Sequence, residues 1–251
     1  MNETTYKCPE CKDRGFIFYT GNDGYEYAKT CKCQELRKAK ERLERSGLAR
    51  EFKTKTFDNY DTCGNAQLTD AKNTAMRFTE ELKNKDAENL PSMMLCGQVG
   101  AGKTHLGTAS SVCLIDHGTA VIYMGYRDEI TALKSKILDE SAYRKEIDRY
   151  KMAPVLFIDD FLKGKITESD VNIVYEIVNY RYNNNLPVII STEKTLDDLI
   201  NFDEAIASRL IEMCKGYIIV FSGKELNYRL YVERQIIPGE NRKLNQLQMA
   251  G

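Results

Sequence analysis

Apolar residues in this chain collect into short solid runs, separated by longer stretches in which they recur every three or four positions. The runs at 92–96 (SMMLC), 120–124 (AVIYM), 155–159 (VLFID), 187–191 (PVIIS) and 217–221 (YIIVF) have the length of strands covered on both faces, the signature of a parallel sheet. The segments between them, including 104–116, 127–138, 169–184 and 203–214, carry helical patterns. Strands alternating with helices predict an α/β fold, a five-stranded parallel sheet flanked by helices and doubly wound. Residues 34–55 (QELRKAKERLERSGLAREFKTK) turn basic and read as a helix ended near Ser46-Gly47, then a linker. Its charge serves either a solvated face laced with pairs such as Glu41 with Arg45, or a surface for nucleic acid or a partner. The polar stretch after Pro238 is expected to be disordered.

Composition narrows the class. With 251 residues, 42% of them hydrophobic, the chain can bury one good core and carry a small appendage. Its 36 basic and 37 acidic side chains give a net charge of −1, so any site for a polyanion must be local. No apolar run approaches the length of a membrane span, and MNETTYKCPE lacks the apolar centre of a signal peptide. A cytoplasmic protein with no membrane partner is expected.

The chemistry concentrates after the first core strand. There LCGQVGAGKTHLG fits G-x-x-x-x-G-K-[ST] from Gly97 to Thr104, in the strand–loop–helix setting that the motif needs. The expected nucleotide contacts are Gly97, Gln98, Val99, Gly100, Ala101, Gly102, Lys103, Thr104 and His105. The glycines let backbone N–H groups turn inward on phosphate, Lys103 reaches the β- and γ-phosphates, and Thr104 takes one Mg²⁺ position. At the carboxyl end of the third strand, Asp159 is the second candidate for Mg²⁺, and Asp160 the candidate to orient or deprotonate a water. In PVIISTEKT, any of Ser191, Thr192 and Glu193 could bond the γ-phosphate or its water. Arg209, in AIASRLIEMC, is either a surface partner of Glu212 or an arginine finger for a neighbouring subunit's γ-phosphate.

Four of the eight cysteines, Cys8, Cys11, Cys31 and Cys33, cluster near the start as two pairs around a hairpin-like segment with TGNDG as its turn. That arrangement would put four thiolates around a structural Zn²⁺, the main folding energy of so small a module; disulfides or free thiols are the alternative. Cys63, Cys96, Cys113 and Cys214 are scattered and read as small core residues. The division expected is a zinc-binding module over 1–34, the basic helix and linker over 35–58, the nucleotide-binding domain over 59–236 and the polar tail over 237–251.

Taken in order, CPECKDRG…CKC, RSGL, TFDNY, GQVGAGKTHL, VLFIDD, PVIISTEKT and ASRLIEMC resemble the DnaC/DnaI-type replicative helicase loaders and the related IstB transposition ATPases, within the AAA+ class. The resemblance spans nearly the whole chain. It implies an AAA+ ATPase that uses ATP and Mg²⁺ and forms homo-oligomers; with so few residues after Arg229, no separate lid domain is expected. It further implies delivery of a hexameric replicative DNA helicase onto single-stranded DNA, or, as the alternative, an IstB-like transposition helper. By the same resemblance, residues 1–55 would hold the helicase, TFDNY would lie near the adenine, and Arg209 would face the ATP of the next subunit. Lys134 and Lys136 would lie on a DNA-facing helix, where Ile137 stands in place of an aromatic. Many relatives have asparagine where this chain has Glu193, leaving either Thr192 or Glu193 as sensor; Arg229 is a conceivable second sensor.

Overall fold

The computed structural model describes residues 6–34, 37, 38, 41, 54–84 and 90–230. Most of the basic helix and the tail over 237–251 lie outside them. The chain opens with an antiparallel hairpin, β1 (Phe16–Thr20) and β2 (Glu26–Thr30), paired from Phe16 opposite Thr30 to Thr20 opposite Glu26. Its turn is the TGNDG segment, closed by the Gly21 N–H donating to the Tyr25 carbonyl at 2.8 Å.

Beyond it stand helix α1 (Ala66–Asn84), β3 (Met93–Gly97), α2 (Lys103–Asp116), β4 (Val121–Gly125), α3 (Tyr126–Ser135), α4 (Glu140–Lys151), β5 (Val155–Asp159), α5 (Glu168–Asn183), β6 (Val188–Thr192), α6 (Leu196–Phe202), α7 (Glu204–Met213) and β7 (Ile218–Phe221). The five strands from β3 onward form one parallel sheet in the order β4-β5-β6-β3-β7. They fall within one residue of the five apolar runs. The central strands β5 and β6 are buried at every position, whereas the edges β4 and β7 are only partly so.

Strand side chains alternate between faces, so each solid apolar run feeds two cores at once. Met93, Leu95, Val155, Phe157 and Ile189 pack beneath α1 and α2 with Phe78 and Leu106. Their neighbours Met94, Cys96, Leu156, Ile158, Val188 and Ile190 pack beneath α3 to α7, with Leu133, Tyr150, Ile177 and Leu210. Helix α1, absent from the elements read off the pattern, is an ordinary amphipathic helix: Leu68, Ala71, Ala75, Phe78 and Leu82 fall on one stripe.

The segment expected as one helix over 127–138 is divided. Helix α3 stops at Ser135, and Asp139 caps a new helix by accepting from the Ala142 N–H at 3.0 Å. Capping boxes of Thr167 with Asp170 and Thr195 with Asp198 start α5 and α6. Among the described residues, no helix is long and apolar enough to cross a membrane.

Strand order decides where chemistry can gather. From β3 the chain crosses to the far edge at β4, returns through β5 and β6, and then passes to the other side of β3 at β7. The loops leaving β3 and β6 therefore diverge, opening a crevice at the carboxyl ends of the strands.

Candidate functional site

That crevice is a cleft of ≈ 410 Å³, within the size range of small-ligand sites. One wall is the loop after β3. Gly97, at φ 103°, lies so close to β7 that a Cβ would come 2.3 Å from the Phe221 carbonyl oxygen, so no side chain fits there. Gly102, at φ 87°, opens α2 and packs under Tyr60. Lys103 is buried and its Nζ donates to the carbonyls of Gly97 (2.8 Å) and Gln98 (2.7 Å). Burial lowers its pKa, opposed by the charges of Glu193 and Asp160.

The floor is an oxygen cluster. Asp159 is buried; its Oδ1 accepts from the Thr104 hydroxyl at 2.9 Å and from Ser191, and its Oδ2 from the Tyr123 hydroxyl at 3.2 Å. Burial raises its pKa against the pull of the Ser191 and Thr104 bonds. Asp160 follows in the left-handed region at φ 55°, with its N–H donating to the Ser191 oxygen at 3.0 Å. Lys163 then turns back, its Nζ 3.0 Å from Asp160 Oδ2 and 3.1 Å from Glu193 Oε1. Burial disfavours the Lys163 charge, but the bonds to those two acids outweigh it and its pKa rises.

The TFDNY segment packs on the glycine loop and the start of α2 and forms part of the rim. Tyr60 donates to the Ala101 carbonyl at 2.9 Å, and His105 Nε2 lies 2.8 Å from the Thr56 carbonyl and 3.0 Å from Asn59 Oδ1. Lys55, Asp61, Leu68, Leu226, Tyr228 and Arg229 also line the cleft, with the Tyr228 N–H donating to the Gly100 carbonyl at 3.0 Å.

The structure thus gathers Lys103, Thr104, Asp159, Asp160 and the loop residues into one place, but not all the expected residues. Thr192 requires correction as a sensor. It is fully buried, donates to the Phe161 carbonyl at 2.8 Å, accepts from the Lys194 N–H, and is not on the cleft wall; Glu193, one residue on, is. The reason is strand alternation, which points successive side chains to opposite sides. Arg209 is also absent from the cleft of its own chain. Its guanidinium lies 5.5 Å from the ring centre of Tyr175 and 5.6 Å from that of Tyr182, with Nη1 donating to the Ala205 carbonyl. Glu212 accepts from Tyr182 rather than pairing with Arg209. Lys134 pairs with Asp170 at 2.8 Å and Lys136 with Glu146 at 2.9 Å, so each has an acidic partner that a phosphate would have to displace. Sequence reasoning missed Lys163, Tyr123 and Tyr228; only the DFLKGK string after the acids offered any signal, a lysine close to them.

The four hairpin cysteines form a second cluster. Their sulfurs all lie within 4.8 Å of one another, with Cys8 to Cys31 at 3.7 Å, Cys11 to Cys33 at 3.3 Å, and no disulfide among them. A tetrahedron with Zn–S bonds of about 2.3 Å has edges of about 3.8 Å, so the four sulfurs suit a closed Zn²⁺ site. The Gly15 N–H donates to Cys11 Sγ at 3.3 Å, support of a kind that favours a thiolate ligand.

Comparison with known proteins fits this geometry. The sequence model of the family described as IstB-like ATP binding protein matches residues 29–232. The phage-like element PBSX protein XkdC of Bacillus subtilis (strain 168) is 34% identical over 90% of this chain and 86% of its own length. Among solved structures, DnaI superposes with a TM-score of 0.57 at 21% identity over 69% of this chain and 91% of that one. The DnaC helicase loader gives a TM-score of 0.55 at 23% identity over 68% of this chain and 99% of that one. These likenesses establish the α/β P-loop AAA+ fold.

Proposed function

The chain belongs to the IstB-like ATP-binding proteins, and from that premise we propose that it is a Mg²⁺-dependent ATPase that loads a hexameric replicative DNA helicase onto single-stranded DNA. The observation that carries the ATPase reading is the meeting of Lys103, Thr104 and Asp160 in one cleft at the strand ends, with Asp159 buried directly behind the Thr104 hydroxyl. Thr104 and Asp159 are hard oxygen donors whose oxygens lie 2.9 Å apart, about the edge of an octahedron with Mg–O bonds of about 2.1 Å. Bound there, Mg²⁺ would neutralise charge on the phosphate oxygens.

The rest is done by the chain. Lys103 exchanges the Gly97 and Gln98 carbonyls for phosphate oxygens, while backbone N–H groups of the loop cradle the phosphates. Asp160 orients a water that attacks the γ-phosphorus. As the new P–O bond forms, the bond to the β-phosphate oxygen breaks, the water's proton passes by way of Asp160 to phosphate, and ADP departs with its electron pair.

Arg209 lies outside its own cleft on helix α7, which suits service in a neighbouring subunit's site. Turnover would then require packed subunits, and ATP would act as an assembly signal. The cysteine hairpin, stapled by Zn²⁺, is the candidate helicase-binding module, as the resemblance to DnaC and DnaI suggests. The family match equally supports an IstB-like transposition helper, and the client separates the two readings.

In the test, purified chain with ATP is mixed with the replicative helicase of its host, and with a transposase of the IstB partner type. ATP-dependent capture of the helicase, lost in Lys103→Ala together with hydrolysis, is expected. Unchanged turnover in Lys103→Ala would refute the site, and capture of the transposase alone would replace the loader by the helper. Mixing Arg209→Ala into wild type should depress hydrolysis by more than its share of subunits.

A further inference from the structure

Glu193 poses a chemical problem at the γ-phosphate end of the cleft. A carboxylate has no hydrogen to give a phosphoryl oxygen, and the Thr192 hydroxyl beside it is spent on the Phe161 carbonyl. With Asp159 and Asp160, the site holds three carboxylates where the terminal charge of a triphosphate must arrive.

Lys163 resolves it. The chain leaves β5 through a tight turn in which Asp160, Leu162 and Gly164 all have positive φ, at 55°, 57° and 94°. Phe161 and Leu162 are each 1% exposed, and Phe161 packs edge-on against Tyr126 at 5.5 Å, so the turn is pinned from within. A left-handed backbone at two non-glycine positions is costly and persists only where packing enforces it. Its effect is to return the Lys163 side chain to the cleft wall, where its ammonium bridges Asp160 and Glu193 while its side chain stays 46% exposed. An exposed ammonium held by two single contacts can change partners at low cost.

We propose that Lys163 is a γ-phosphoryl ligand supplied by the chain itself, held between Asp160 and Glu193 until a nucleoside triphosphate draws it onto its terminal phosphoryl. The exchange releases Asp160 for the attacking water and lets the chain discriminate ATP from ADP, whose shorter phosphate chain leaves Lys163 with the acids. Glu193 is a positioning residue that competes with the phosphoryl for the same cation. This assignment rests on the ATP-site reading above and adds to it a residue of discrimination.

The test measures binding of ADP and of a slowly hydrolysed ATP analogue, with Mg²⁺, by calorimetry on the full chain. Four proteins are compared: wild type, Lys163→Met, Lys163→Arg and Glu193→Gln, each first shown to melt cooperatively. Lys163→Met should weaken the analogue by about tenfold or more, as loss of a charged hydrogen bond does, and move ADP by no more than about twofold. Lys163→Arg should recover most of that loss. Glu193→Gln should tighten the analogue while sparing ADP, because the cation is less firmly held.

Equal losses for both nucleotides in Lys163→Met and Glu193→Gln would reveal a strut of the strand end and overturn the inference. Analogue affinity unchanged in Lys163→Met would overturn it as well, leaving the ATP site standing. A wild-type chain that binds neither nucleotide would remove the ATP-site reading and this inference together.

Discussion

Arg181 offers the sharpest test of how the strand ends that carry the site are held. It lies on α5, fully buried, and among the described residues no carboxylate pairs with it: Nη1 donates to the carbonyls of Tyr150 (2.8 Å), Lys151 (3.1 Å) and Ala153 (2.9 Å), and Nη2 to that of Pro187 (2.6 Å). These carbonyls belong to the end of α4 and the entries to β5 and β6, the strands that present Asp159, Asp160 and Glu193 at their other ends. Burial brings the guanidinium pKa down to about 9, still charged at neutral pH. Charged hydrogen bonds contribute about 1.5–3 kcal/mol each, and the cost of burying the charge offsets part of their sum. Replacing Arg181 by Met removes donors and charge together but leaves four carbonyls facing an apolar chain. A net loss of about 4 kcal/mol is expected, a fall in Tm of about 8–16 °C for a domain of this size. Thermal and urea unfolding followed by circular dichroism measure it, with Arg181→Lys intermediate because an ammonium cannot span all four carbonyls. If the Met variant came within 1 kcal/mol of wild type, a figure of about the size of one ordinary hydrogen bond, the burial cost would cancel the bonds and Arg181 would hold nothing in place.

Asp159→Asn should abolish hydrolysis yet raise the Tm by a few degrees. The folded site raises the Asp159 pKa through burial, so ionising it at neutral pH opposes folding; a lower Tm in the variant would contradict that sign. Burial lowers the His105 pKa below 6.5 despite its bond to Thr56, so the folded state resists its protonation. The stability it confers is complete above the unfolded value and is lost as pH falls through it toward the folded one. The drop in Tm from pH 8 to pH 5 should therefore be smaller in His105→Gln than in wild type. If the four cysteines hold Zn²⁺, elemental analysis should find about one ion per chain and less in Cys8→Ser, with the main melting transition of the α/β core left in place.

What the sequence determined by itself was everything written in short-range terms. The solid apolar runs announced five strands because a strand covered on both faces must be apolar at every step, and the glycine spacing around Lys103 announced a loop that only glycine can build. The paired acids after β5 were legible because strand ends are where a doubly wound sheet opens. Tertiary structure decided what depended on which strands became neighbours. Tyr123 reaches Asp159 because β4 lies beside β5, Glu193 reaches Lys163 because β6 lies on the other side, and Thr192 turns inward through the phase of one strand. The lysines at 134 and 136 look unpartnered along the chain, yet they meet Asp170 and Glu146 once α3 has packed against α5 and α4 has folded back. Local patterns specify elements, but the partners of a charged side chain are fixed by crossovers whose order no local pattern records.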